Sequence, residues 1–218
     1  MKYLDVPQSG SREARVASRN RYGQYFRNRT SPVQPRTSAQ LNQRARMATN
    51  AAGWRALTDA QRAGWLSLGL NIERTDSLGQ TYTQNGFGAY CSINNNKLAA
   101  GDAVVSAAPA IVTPVDLTTA TITLTAAALS IAYTATPLAA NTRLFIFASP
   151  QRSAGVTFNN DYRLLAVTAA AAASPHNLLA AYTAKFGVPV VGNRVFFSLT
   201  TYNGGFKGSP FNVSQVVV

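Results

Sequence analysis

Two hydrophobic periods divide the chain. Between about residues 38 and 98, apolar positions recur every three or four residues, the spacing of helices buried along one face. From about Ile111 onward they alternate with polar ones, the spacing of half-buried strands. Before residue 38 neither period holds.

Thr37-Ser38-Ala39-Gln40, after Pro35, reads as a capping box. Leu41, Ala45, Ala48 and Ala52 follow as an amphipathic stripe, with Arg44 off it and facing outward. Thr58-Asp59-Ala60-Gln61 opens a second helix whose apolar residues Ala60, Ala63, Trp65, Leu66 and Leu68 lead to Gly69 as a stop. Trp54 and Trp65 flank the corner between the two and predict a small hydrophobic lock. Residues 70–86, with Arg74 to Gly79 and Asn85-Gly86, predict a loop. A third helix is expected from Phe87 to about Leu98, with Phe87, Tyr90, Cys91, Asn94 and Leu98 on one face and Gly101 as its stop. Cys91 on that face reads as a small buried hydrophobe rather than a nucleophile. Ala107-Ala108-Pro109 reads as a linker.

Thr119, Thr121, Thr123 and Thr125 alternate with Ala120, Ile122 and Leu124, a strand with one polar face. Further strands are expected at Leu129 to Tyr133 before Pro137, at Arg143 to Phe147 ended by Pro150, and at Tyr162 to Val167. Arg194 to Tyr202 is a long one, turned by Asn203-Gly204-Gly205, and Phe211 to Val218 returns. With a short strand at Ile111 to Pro114 the total is about seven, which fits an antiparallel sandwich. Ala169 to Thr183, with its alanine run, Pro175 and Leu178-Leu179, is too long for a simple connection and is expected as a loop with a helical turn.

Charge changes the picture of the N-terminal stretch. The 218 residues hold 20 Lys and Arg against 8 Asp and Glu, a net +12, although only 13% are charged. Residues 1–46 hold ten bases (Lys2, Arg12, Arg15, Arg19, Arg21, Arg27, Arg29, Arg36, Arg44 and Arg46) and two acids (Asp5 and Glu13), a net +8. Nine of the ten are Arg, whose planar fork grips carboxylate or phosphate and stacks on rings. Tyr22, Tyr25 and Phe26 lie among them, and disordered tails are poor in aromatics. Gly10, Gly23, Pro32 and Pro35 prevent one long helix. The stretch is therefore expected as an extended or hairpin-like arm with little core, ordering on an acidic partner; a solvated tail is the bland alternative. The candidate partner-binding residues are Arg12, Arg15, Arg19, Arg21, Tyr22, Tyr25, Phe26, Arg27, Arg29 and Arg36. Carboxylate and phosphate partners, single-stranded nucleic acid included, both remain open.

Several chemistries lack their residues. No run of about 18 apolar residues predicts a membrane span, and Met1 to Pro7 lacks the apolar stretch of a secretory signal. Cys91 alone makes neither an internal disulfide nor a zinc site. His176 stands alone in an Ala-rich loop and reads as a surface residue. Glu73 and Asp76 lie three apart in a loop and make no placed acid pair for glycoside hydrolysis. No Gly-rich phosphate loop occurs. The expectation is a protein that is not an enzyme, with no cofactor and no metal.

Val195 to Gly205, then Gly208-Ser209-Pro210 and a valine-rich strand, resembles the last hairpin of fibronectin type III domains over about 25 residues, although that family's early Trp is missing. The resemblance implies an immunoglobulin/fibronectin-like form for the sandwich. The expected fold class is α+β: an extended basic arm (1–36), a short helical region (37–100), a linker (101–110) and a C-terminal antiparallel β-sandwich (111–218). Pro35 to Gln40, Arg44, Trp54 to Trp65, Asn85-Gly86-Phe87 and Tyr90 are similar to small proteins encoded in bacteriophage structural gene clusters. That resemblance implies a virion component made in the host cytoplasm, a capsid decoration or cement protein. Its arm would attach to an acidic surface of a capsid, connector or tail protein, alongside further copies of itself, and stabilise subunit contacts. No catalytic residues carry over. Trp54 to Arg62 also resembles the W-x-x-L-S-x-x-E-K segment of HMG boxes, which bend DNA from the minor groove. It implies the alternative, a nucleic-acid-binding protein of the same kind of particle, for DNA packaging or HMG-like bending. HMG boxes keep a third, basic helix, where this chain has only Lys97. A carbohydrate-binding adhesin is a third class, for which the sequence identifies no aromatic platform.

Overall fold

Thr37 and Gln40 cap the first helix reciprocally, each backbone N–H donating to the other's side-chain oxygen at 3.3 Å. Thr58 and Gln61 repeat the device at the second. In chain order the elements are β1 (Gly10–Arg12), β2 (Arg15–Asn20), β3 (Gly23–Asn28), α1 (Ser38–Ala56), α2 (Asp59–Leu70), β4 (Glu73–Thr75), β5 (Thr81–Thr83) and α3 (Gly86–Ala100). Then come β6 (Thr119–Leu124), β7 (Leu129–Thr134), β8 (Thr142–Ala148), β9 (Arg152–Ser153), β10 (Arg163–Val167), β11 (His176–Asn177), α4 (Leu179–Phe186), β12 (Asn193–Asn203) and β13 (Phe206–Val216). The computed structural model describes residues 9–31, 33–76, 78–134, 136 and 138–218. Lys2, Asp5 and the rest of residues 1–8, Pro32, Ser77, Ala135, Pro137 and the side chain of Arg12 lie outside the described residues. The fold is α+β, and the chain divides into two compact units, residues 1–42 and 43–218.

In the first unit, residues 10–28 are not a single extended arm but an antiparallel sheet in the order β1-β2-β3. Glu13 takes φ 51° in the first turn. The second is a two-residue turn, Arg21-Tyr22, where Tyr22 N–H donates to Asn20 Oδ1 at 2.9 Å and Gly23 supplies the φ of 112° that a side chain would resist.

In the second unit the helices gather around Tyr90. Its ring lies 5.4 Å from Trp54 of α1 and 5.1 Å from Trp65 of α2, so the two tryptophans lock onto a third ring. Leu57, Leu68, Ala89, Cys91 and Ile93 complete this cluster. The Leu41/Ala45/Ala48/Ala52 stripe of α1 is exposed instead of buried, with Leu41 at 49%. Only Asn50 is fully buried on α1. Alanine side chains contribute too little apolar area to decide which way a helix faces; Trp54 and Leu57 at the C-terminal end decide it. Gly69 does not stop α2, which runs on to Leu70; a Cβ there would meet Gln84 O at 2.5 Å, so glycine permits close approach of the segment that leads into α3. Ala60, Ala63 and Leu66, expected on the apolar face of α2, are exposed. Residues 70–86, expected as a loop, contain the β4–β5 hairpin. α3 follows expectation, capped by Asn85 and ended by Gly101 with φ 80°.

The remaining strands form two antiparallel sheets, β11-β7-β6 and β10-β8-β12-β13, with β9 also paired to β12. They share one core: Leu124, Leu129, Ile131 and Tyr133 from the first, Leu144, Ile146, Val195, Phe197 and Leu199 from the second, with Leu178 and Tyr182 beside them. β12 is buried on both faces, which is why it reads as a continuous apolar and threonine run. Its other face carries Tyr202, which packs with Phe145 and with Ala100 of α3. No strand forms at 111–114; β9 and β11, two residues each, are additional to the sequence reading, and the helical turn expected within 169–183 is α4, which runs on to Phe186.

Residues 101–118 have no regular structure but are tied down. Asn94 exchanges both its side-chain amide bonds with the backbone of Val105, at 2.9 and 3.1 Å. Trp65 Nε1 donates to Ser106 O at 2.7 Å, and Ser209 N–H donates to Asp116 Oδ1 at 2.7 Å. Asp102 accepts from Arg143 Nη2 at 2.7 Å and from the Tyr202 hydroxyl at 2.8 Å.

Candidate functional site

The ten residues singled out from the sequence fall mostly on the N-terminal sheet. The register sets Arg15 opposite Asn28, Ala17 opposite Phe26, and Arg19 opposite Gln24, so Arg15, Arg19 and Phe26 share one face. Val16 lies opposite Arg27 and Ser18 opposite Tyr25, so Arg27 and Tyr25 share the other. Arg12 occupies the register position opposite Arg15. Arg21 and Tyr22 make the turn at the tip, and Arg29 follows β3, its N–H donating to Ala14 O at 2.7 Å. The cations are thus split between both faces and the tip. Arg36 is apart, in the irregular stretch before α1, with φ 49°.

No described residue of this sheet is buried, and the side chains of Arg15, Arg19, Arg21, Arg27 and Arg29 are exposed. Among the described residues none of these five takes part in an ion pair. Arg21 lies 4.6 Å from the Tyr22 ring centroid and donates to the Tyr22 hydroxyl. Tyr22 itself is 63% exposed. Three short strands with no buried face are marginal on their own in water. The arrangement presents exposed arginine forks and two open tyrosine rings, suited to an anionic surface.

Other chemistry-bearing residues are occupied structurally. Cys91 is buried, and burial pushes its thiol pKa up, away from the reactive thiolate. His176 is not a surface residue: it is half-buried in β11, paired with Ile131 of β7. Asp76 Oδ1 accepts from the N–H groups of Leu78 and Gln80 at 2.8 and 2.9 Å, which makes it a turn former. Among the described residues no group of three or more His, Cys, Asp or Glu could hold a metal, and no helix is long and apolar enough to cross a membrane.

The Asp102–Arg143–Tyr202 contact escaped the sequence reading. Its members are 41 and 100 residues apart, and only the isolated charge of Asp102 after a helix stop hinted at it. Burial and the Asp102 carboxylate together push the Tyr202 hydroxyl pKa well up. The chain matches no protein-family model, no curated protein and no solved structure.

Proposed function

We propose that this chain is a non-enzymatic attachment protein of a bacteriophage-like particle, a decoration or cement component of the virion. Its basic N-terminal sheet binds an acidic face of a capsid, connector or tail protein. The observation that carries the reading is the set of exposed arginines, Arg15, Arg19, Arg21, Arg27 and Arg29, with no ion-pair partner among the described residues. Like charges packed onto one small sheet repel, and an oppositely charged partner removes that cost. Charge pairs formed at an interface often do little better than break even against desolvation. Tyr22, Tyr25 and Phe26 therefore supply much of the affinity, and the arginines supply orientation and rate.

The C-terminal half is read as an immunoglobulin/fibronectin-like module. Its support is the partition of strands: three antiparallel strands in one sheet and five in the other around a common core, with sequence-adjacent β7 and β8 in different sheets. The particle itself rests on the resemblance read from the sequence alone, at Pro35 to Gln40, Arg44, Trp54 to Trp65, Asn85 to Phe87 and Tyr90.

Coat-protein particles of the encoding virus test this by cosedimentation. The full chain should pellet with them, and the variant with Arg15, Arg19, Arg21 and Arg27 all changed to Glu should bind at least ten-fold more weakly with an unchanged melting temperature. Equal binding by the two overturns the reading. If duplex or single-stranded DNA binds with a steep salt dependence and the particles do not bind, the nucleic-acid alternative replaces it.

A further inference from the structure

We infer that the second unit carries a binding site for a neutral carbohydrate, in a pocket between the 154–162 loop and the outer face of the β12–β13 hairpin. Its volume is about 260 Å³, and its lining includes Phe158, Asn159, Asn160, Tyr162, Phe196 and Asn212. The attachment reading does not require this site, and the site does not require that reading.

The register builds the floor. Phe196 lies opposite Ser214, and Ser198 opposite Asn212, so these four share a face of the sheet. Phe197 and Leu199 point into the core, so Phe196, Asn212 and Ser214 point away from it. The loop forms the wall and is held in place by charge. Asp161 pairs with Arg163 at 3.3 Å and lies 3.7 Å from Arg152, while Arg194 Nη1 donates to Val156 O at 3.2 Å. Asp161 thus serves two arginines, Arg194 is bonded to a backbone carbonyl rather than to an acid, and among the described residues every lining side chain is neutral.

Two features select the ligand class. Asn159 is only 8% exposed, yet its Nδ2 has no hydrogen-bond partner among the described residues. This unpaired N–H is costly, and because the atom has almost no open surface a ligand oxygen reaches it with a small shift of the 154–162 loop. Phe158 is 72% exposed, an aromatic ring held open to solvent at the mouth. Three asparagine side chains offer donors and acceptors side by side, which matches vicinal hydroxyls, themselves both donors and acceptors. Aromatic rings offer faces for the C–H surface of a sugar ring. The lining itself offers an anionic ligand no cation, and a wholly apolar ligand would leave the amides unsatisfied. The volume lies just below the ~300 Å³ at which pockets for drug-sized ligands begin, which is room for one sugar residue with its chain in solvent.

The test uses the full chain and two exposed-residue variants, Phe158→Ala and Asn212→Ala. The probes are an array of neutral hexose and N-acetylhexosamine oligosaccharides, with sialylated and uronate oligomers as charged comparators. The proposal expects millimolar or tighter binding of at least one neutral oligosaccharide, shifts of the Asn159 side-chain amide signals on its addition, and at least a ten-fold loss in each variant at unchanged melting temperature. Binding of only the acidic oligomers, binding that both variants retain in full, or no binding at all overturns it.

Discussion

Asp102 holds two partners at once, and its position makes the pair hard to replace. Its carboxylate and the Arg143 guanidinium are each about one quarter exposed, and Tyr202 is buried. Asp102→Ala leaves a half-desolvated guanidinium and a phenol without their acceptor. Urea unfolding should show a loss of about 2 kcal/mol, the range for removing one member of a partly buried charged hydrogen bond; a change below about 0.5 kcal/mol contradicts this account of the contact. Tyr182 gives a pH prediction. Burial pushes its hydroxyl pKa from the ordinary 10.0 up to about 12, and it donates to Ser149 O at 3.1 Å. Between pH 10 and 12 the unfolded chain releases this proton while the folded chain keeps it. Stability is thus fully present below pH 10 and falls above it, by at most about 1.4 kcal/mol per pH unit from this residue. Tyr90, Tyr133, Tyr162 and Tyr202 are raised by burial too and act in the same direction. Tyr182→Phe should cost about 1 kcal/mol at neutral pH and make the fall above pH 10 shallower, as read by urea unfolding at each pH. At this scale the sequence was informative where a side chain has one ordinary role: Cys91 is a buried hydrophobe, as its helical neighbours implied. It was silent on Asp102, because its partners are distant in the chain.

Two glycines in α2 separate local propensity from packing. Gly64 faces Ala108, and a Cβ there would lie 3.7 Å from that residue's Cβ, an ordinary contact. Gly64→Ala should raise stability by about 0.5–1 kcal/mol, through helix propensity and a less free unfolded chain. Gly69→Ala puts a Cβ 2.5 Å from a backbone carbonyl that cannot swing aside, and should lower stability by about 1–3 kcal/mol. Thermal melts of the two variants should move in opposite directions; movement in the same direction removes the packing explanation of Gly69. The same contrast explains which elements were legible. The caps at Thr37, Thr58 and Gly101 are local chemistry and read correctly, whereas Asn85, read as part of a loop, caps α3. The two-residue alternation of β6 and β7 read correctly too. The facing of α1 did not, because an alanine stripe has the right period and almost no burial energy behind it. The β4–β5 hairpin was hidden because its strands are three residues long, all exposed, and carry no apolar pattern.

Across the whole molecule, composition located the candidate surface and geometry refined it. The excess of arginine over acid marked the N-terminal stretch, and glycine and proline excluded a helix. Strand pairing with no apolar face to bury left no periodic signal, so the three-stranded sheet was visible only as a possible hairpin. Its strands present Arg15 and Arg19 on one side and Arg27 on the other, an arrangement that a linear charge count cannot give. The second unit owes its cohesion to contacts that no sequence pattern announces: Asn96 Nδ2 donating to Gly205 O at 2.8 Å, and residues 101–118 pinned along their length. Cohesion of that kind predicts that residues 37–218, which keep Thr37 as the cap of α1, fold without the basic segment.

Removing residues 1–36 is the most direct test of the division between a folded body and a cationic attachment element. The truncated chain should melt cooperatively within a few degrees of the full chain and fail to cosediment with coat-protein particles that the full chain binds. A truncated chain that binds those particles as well as the full one, or that no longer melts cooperatively, contradicts the account.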